Sequence, residues 1–299
     1  MIFTNLDNLP TLLGKKRKQP SSNTHQRSNM MINPLNLKHL NSIDDIDADM
    51  ITLNLEDGVS PLRKQEALDN IALFLSYLEH SHSFIVIRTN PLSEGGDREI
   101  EFLNRFSFDA IRIPKVTSIY DIQRALSILD DDRELHLSIE TIEAFNLLSS
   151  LGDIDSRVTT VYLGILDLLA DMSLPQSLIE IGNPTIDYIL TKFLIDAKIA
   201  QLHPISFMFQ EYNNVDAFEK WCQREKSMGF VSKACLGPKQ VDIANRVFGI
   251  TTEEIKRASH IKEAFEKSAK VGINGFMDDK YGFIDEPIYR DALLILKES

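Results

Sequence analysis

Leu135-His136-Leu137-Ser138-Ile139-Glu140 and Val158-Thr159-Thr160-Val161-Tyr162-Leu163-Gly164-Ile165-Leu166-Asp167 are two apolar runs, each delivering a carboxylate at its end. Runs of this length, rich in Leu, Ile and Val and separated by helix-length stretches, read as parallel strands with crossover helices. The same unit recurs on both sides. Asn29–Asn33, Met50–Glu56, Phe84–Asn90 and Ala110–Lys115 precede the pair, and His203–Phe209 and Ser232–Pro238 follow it. Amphipathic stretches fill the gaps at 63–78, 118–129, from Pro184 through Ala197, and at 216–228 and 251–270. Ser118 is placed to cap the second of these, and Pro184 to open the third. Eight strands with right-handed crossovers predict a TIM (β/α)8-barrel. No GxGxxG follows the first strand and no GxxxxGK[ST] occurs, which argues against a nucleotide-binding open sheet.

The chain has 299 residues, 43% of them hydrophobic and 25% charged, enough for one barrel of roughly 250 residues. Its net charge of −12 argues against general nucleic-acid binding. The two cysteines, Cys222 and Cys235, form no CxxC pair, and with no membrane-length apolar run the chain reads as cytoplasmic. Residues 1–26, with the basic cluster Lys15-Lys16-Arg17-Lys18, read as a flexible tail, although such a cluster could touch nucleic acid or anionic lipid. Residues 27–299 read as a single barrel domain that includes a C-terminal extension, 252–299.

In such a barrel the chemistry sits at the C-terminal ends of the strands. Those ends are polar here: Glu56 and Asp57, Arg88, Lys115, Glu140 and Asp167. Glu140 and Asp167 could hold Mg²⁺, which takes one or two carboxylates plus water and substrate oxygens. They could equally cap helices or pair with a lysine. Arg88 could bind a carboxylate or an enolate oxygen, or simply pair with Glu56. Lys115 could form a Schiff base, but pairing with Glu56 is the preferred reading. No histidine has ligand spacing, and both cysteines read as packing residues.

The ordered set Leu55-Glu56-Asp57-Gly58-Val59 with Lys64, Arg88-Thr89-Asn90-Pro91, Ile113-Pro114-Lys115-Val116, Ile139-Glu140-Thr141, Gly164 with Asp167-Leu168, and Ile284-Asp285-Glu286-Pro287 resembles the citrate lyase β-subunit and malyl-CoA lyase family. These are HpcH/HpaI aldolase-type proteins of the phosphoenolpyruvate/pyruvate barrel superfamily. The likeness extends from about Arg27 to the end.

The resemblance implies a Mg²⁺-dependent carbon–carbon lyase. It would cleave or form a 3-hydroxyacyl thioester of the malyl-, citramalyl- or citryl-CoA type, giving an acyl-CoA or acyl-carrier thioester and a 2-oxo acid. Glu140 and Asp167 are the implied metal ligands. Arg88, Glu56 and Asp285 are the implied catalytic set. Arg88 with the backbone of Gly164, Ile165 and Leu166 would bind substrate, and Arg27 the cofactor arm. The resemblance also implies a homotrimer or hexamer in which the C-terminal helical segment brings Asp285 to a neighbouring subunit. The sequence departs from the family pattern at Leu35, Asn54, Leu166, Ser232 and Gly237. A 2-oxo-acid aldolase that does without coenzyme A, a thioesterase and a non-catalytic assembly subunit are the alternative readings.

Overall fold

Eight short runs of alternating character build the sheet. In a computed structural model that describes residues 25–78 and 80–298, they are β1 (Ser28–Ile32), β2 (Met50–Asn54), β3 (Phe84–Arg88), β4 (Ala110–Ile113), β5 (Glu134–Ile139), β6 (Val158–Leu163), β7 (His203–Ile205) and β8 (Lys233–Cys235). All are parallel, in the spatial order β7-β6-β5-β4-β3-β2-β1-β8. A bridge between Ser206 and Lys233 brings β8 back to β7. Two backbone bonds make this seam, Ser206 N–H to Ser232 O and Ala234 N–H to Ser206 O, both 3.1 Å. The eight expected strands are thus all present, in a nearly closed TIM-type barrel.

The strands are not uniformly apolar, as their sequences first suggest. Their side chains alternate between two environments, as the period of two requires. Ile51, Leu53, Ile85, Ile87, Ile111, Ile113, Leu135, Leu137 and Val161 belong to the large core that the crossover helices cover. Met50, Val86, Ala110, Tyr162, Ile205 and Ala234 form a separate small cluster. Polar groups are buried beside it: Asn29, Thr52, Asn54, Arg88, Arg112, His136, Ser138 and Thr160. His136 stacks on Phe84 with ring centroids 5.8 Å apart, and its Nδ1 lies 3.2 Å from the Tyr162 hydroxyl.

The expected helices appear at Lys64–Tyr77, Ile119–Ile128, Pro184–Ile199, Val215–Met228 and Thr252–Ala269. Ser118 does cap its helix, in a reciprocal capping box with Asp121. Lys233 reaches out of β8 to the helix Val215–Met228. Its ammonium binds Glu225 Oε1 at 2.7 Å and the Phe207 carbonyl at 3.0 Å, over the Phe207 ring, with both charged side chains fully buried.

The contacts divide the chain into two compact units, residues up to Phe248 and residues from Gly249. The segment read as an extension of the barrel therefore packs on itself. It comprises the helix Thr252–Ala269, the antiparallel hairpin β9 (Gly275–Asp278) and β10 (Gly282–Asp285), and the helix Glu286–Glu298. Ala258, Ile261, Phe265, Ile284 and Ala292 are its core. The expectation for residues 1–26 lies, up to residue 24, outside the described residues. Among the described residues, no helix is long and apolar enough to cross a membrane.

Candidate active site

A cavity of about 400 Å³ lies at the C-terminal ends of the strands, lined by Asp57, Arg88, Arg112, Glu140, Tyr162 and the segment Leu163–Asp167, among others. Glu140 directly follows β5 and is 2% exposed. Its Oε1 accepts a 2.7 Å hydrogen bond from the Lys115 backbone N–H. Lys115 makes this bond from a left-handed conformation, with φ 51°, which a side-chain-bearing residue rarely adopts. Gly164 is equally constrained. A Cβ there would stand 2.6 Å from the Glu140 Cβ and 2.7 Å from Oε2, so only glycine leaves room for this carboxylate.

Asp167 is not at a strand end, as its position in the run had implied. The chain leaves β6 at Leu163 and turns through Gly164 into the helix Ile165–Asp171, which places Asp167 in the first turn. The Lys115 ammonium stands 2.8 Å from Asp167 Oδ1 and 3.8 Å from Glu140 Oε1. Lys115 therefore pairs with these two carboxylates and not with Glu56. Burial alone would lower its pKa, but the hydrogen bond it donates to Asp167 and the charge of Glu140 outweigh that and raise it. A lysine held in this way is a poor Schiff-base nucleophile, because it stays protonated.

Two carboxylates aimed at one cationic point form a donor set that suits a hard divalent ion. Among the described residues no cluster of three or more His, Cys, Asp or Glu could hold a metal. Water and substrate oxygens would have to complete the shell, as magnesium commonly requires.

Arg88 ends β3, buried at 6% exposure. Its Nε donates to Asn54 Oδ1 at 2.7 Å, and Nη1 lies 2.9 Å from Glu56 Oε2. The Arg88–Glu56 pair, one of the two readings of Arg88, is thus present, but Oε2 accepts no hydrogen bond from it: the charges touch without alignment. Burial pushes the Glu56 carboxyl up to about 7; Arg88 opposes the shift, and Glu140 reinforces it. Asn54, one of the departures from the family pattern, also bonds the Asp57 carbonyl and the Glu56 N–H, so it fixes the turn that carries both acids. Glu56 itself is not part of the cavity lining, whereas Asp57 and Arg88 are.

Gly164, Ile165 and Leu166 line the cavity, and among the described residues no side chain caps the helix that begins there. Arg27 does not reach the cavity. It precedes β1, at the opposite rim, and its guanidinium is committed to both oxygens of Asp49 at 2.8 and 2.9 Å. Asp285 belongs to the second unit, where it ends β10 and its Oδ1 accepts from the Ile288 N–H at 3.2 Å. Of the other departures, Leu166 lines the cavity, and at Gly237 a Cβ would stand 2.5 Å from the exposed Tyr212 ring, which would have to shift.

Sequence reasoning missed Arg112 and Tyr162. The Arg112 guanidinium lies 3.9 Å from the Tyr162 ring centroid, and its Nε donates to Ser138 Oγ at 2.8 Å. Burial and the neighbouring Arg88 lower its pKa to about 10, so it remains charged at neutrality. The signal was a single arginine in an otherwise apolar strand, Ala110-Ile111-Arg112-Ile113.

Fold and site together define a TIM-type parallel barrel that gathers two carboxylates and two arginines at its mouth. The family model HpcH/HpaI aldolase/citrate lyase matches residues 27–238. This chain belongs to that family.

It is 26% identical, over 75% of its length and 78% of the relative's, to a (3S)-malyl-CoA thioesterase of Cereibacter sphaeroides. It is 24% identical to the citrate lyase subunit beta of Haemophilus influenzae, covering 84% of this chain and 89% of that one. Among solved structures, CitE from Mycobacterium tuberculosis in complex with magnesium, acetoacetate and coenzyme A shares the fold. The TM-score is 0.72 at 16% identity, covering 92% of this chain and 98% of the other. A citrate lyase from Burkholderia xenovorans LB400 matches with a TM-score of 0.78 at 15% identity, covering 90% of each chain.

Proposed function

We propose that the protein is a magnesium-dependent lyase that cleaves a 3-hydroxyacyl-CoA thioester into an acyl thioester and a 2-oxo acid. The observation that carries this reading is the convergence of Glu140 and Asp167 on one cationic point in the cavity that Arg88 lines. The two carboxylates would hold the ion. A bound magnesium supplies Lewis acidity toward the ketone and carboxylate oxygens of the 2-oxo acid.

The remaining work falls to the chain. Cleavage breaks the carbon–carbon bond beside the thioester, and its electron pair passes to the thioester enolate. Arg88 is fixed by Asn54, so its guanidinium is pre-set to stabilise that negative charge. Glu56 acts through Arg88, whose Nη1 stands 2.9 Å from its Oε2. The hydroxyl proton passes to a carboxylate, for which Asp285 of a neighbouring copy in a trimer or hexamer is our assignment, and a proton is then returned from it to the enolate carbon to give the acyl thioester. The amides at the start of the Ile165–Asp171 helix would receive the substrate carboxylate.

The relatives named as thioesterases support a second reading, in which water attacks the thioester and free coenzyme A is released. One assay separates the two. Purified protein is offered malyl-, citramalyl- and citryl-CoA with and without Mg²⁺, and both 2-oxo acid and free thiol are followed. We expect magnesium-dependent release of 2-oxo acid without thiol. Glu140→Ala should lower the rate at least about 100-fold, the scale of losing a main electrostatic contribution. Asp285→Ala should be similarly inactive, and mixing it with Arg88→Ala subunits should restore part of the rate. Thiol release without 2-oxo acid would replace the lyase by the hydrolase. Mixing that restores nothing would remove Asp285 from the shared site.

A further inference from the structure

Arg112 is a buried cation whose charge no neighbouring acid answers directly. It stands in register with Arg88 on the adjacent strand, and both side chains are buried. The two guanidiniums therefore share one layer of the barrel. Arg88 has Glu56 at 2.9 Å and Asp57 at 4.0 Å. Among the described residues, no carboxylate lies within 4.0 Å of Arg112. Of its five N–H donors only the Nε hydrogen is used among the described residues, by Ser138. The ring of Tyr162 supports the flat face, and the Tyr162 hydroxyl is itself held by Asn29 and His136. The side chain is thus fixed in place, and its two terminal nitrogens are left for the cavity that it lines with Glu140 and Asp167.

A buried charge is normally paired, because leaving water is costly. A guanidinium with its fork unsatisfied matches a carboxylate, which accepts two parallel hydrogen bonds. Resting on the lyase reading above, we propose that Arg112 binds a second carboxylate of the small substrate, so that the 2-oxo acid half is a dicarboxylate. Its first carboxylate lies with the ketone beside Glu140 and Asp167, and the distal one meets Arg112. A monocarboxylic 2-oxo acid would leave the guanidinium buried and unpaired, so the same feature rejects it.

The test uses stable 2-hydroxy acids that differ by one carboxylate, (S)-malate and (S)-lactate, titrated into the full-length protein with Mg²⁺ by isothermal calorimetry. We expect malate to bind at least about tenfold tighter than lactate, the scale of one charge-assisted pair. Arg112→Met should bring malate down to the lactate level and leave lactate within about twofold, while Arg112→Lys keeps part of the preference. Equal affinity of the two acids for the unmodified protein would overturn the assignment without recourse to any variant. A preference that survives in folded Arg112→Met would overturn it too. In both cases the binding of either acid with magnesium leaves the lyase reading standing. Binding of neither acid, with or without Mg²⁺, would overturn both.

Discussion

Two of the lysine–carboxylate clusters in the barrel region could hardly differ more. Lys233 and Glu225 meet between β8 and a covering helix, both fully buried, with a carbonyl and an aromatic ring completing the ammonium's surroundings. Lys115 meets Asp167 and Glu140 at the mouth, where the lysine and aspartate side chains are 34% and 44% exposed and a cavity adjoins them. The first cluster is closed and exchanges with nothing. The second is open to solvent and to the cavity. Two ion pairs of similar length therefore serve different ends, and access to solvent, more than distance, tells them apart.

The same substitution at each lysine should separate them. Lys233→Met leaves Glu225 buried and unpaired, and should cost about 3–5 kcal/mol in chemical denaturation. Lys233→Met combined with Glu225→Leu should recover most of that loss, since apolar replacement of a whole buried pair is often neutral. A double variant as unstable as the single one would contradict the account of a closed cluster.

At the mouth, the largest stability effect should come from Glu56. Its folded-state pKa of about 7 lies above the ordinary 4.5, because burial disfavours the charged form. The folded protein thus keeps a proton that the unfolded chain has released. Stability from this group is full below the ordinary value, falls as pH rises toward about 7, and is flat above. The slope should approach about 1.4 kcal/mol per pH unit at most. Glu56→Gln should flatten this dependence between pH 5 and 7; a parallel curve would show that Glu56 does not titrate there.

Lys115→Met should have the smallest effect, under about 1 kcal/mol, because its pair is partly exposed and screened. A loss comparable with that of Lys233→Met would erase the distinction.

Much of this was legible in the sequence. Strand count and order of elements followed from the recurring apolar runs, and the rim residues followed from their ends. The interior was not legible in the same way. Isolated polar residues such as Arg112 and His136 read as interruptions of apolar strands until it is known which face looks inward, and a one-residue shift exchanges the faces. Lys115 was assigned the wrong acid because its left-handed backbone sets a direction that residue spacing does not encode. Arg27 was placed by similarity alone, although its position before a strand already put it on the rim away from the chemistry. Asp285 differs from these, since the role proposed for it needs a second copy of the chain.

The seam between β7 and β8 bears on how the protein is made. Its few backbone bonds and the Lys233 side chain act as a buckle on a belt of eight strands. β1 borders β8 on its other side, more than 200 residues away in sequence. As the chain leaves the ribosome, the edge of β1 has to wait, uncovered, until Lys233 emerges, and the edge of β7 waits with it. Until β8 is made, the strands can form only an open sheet whose two border strands are left free to pair.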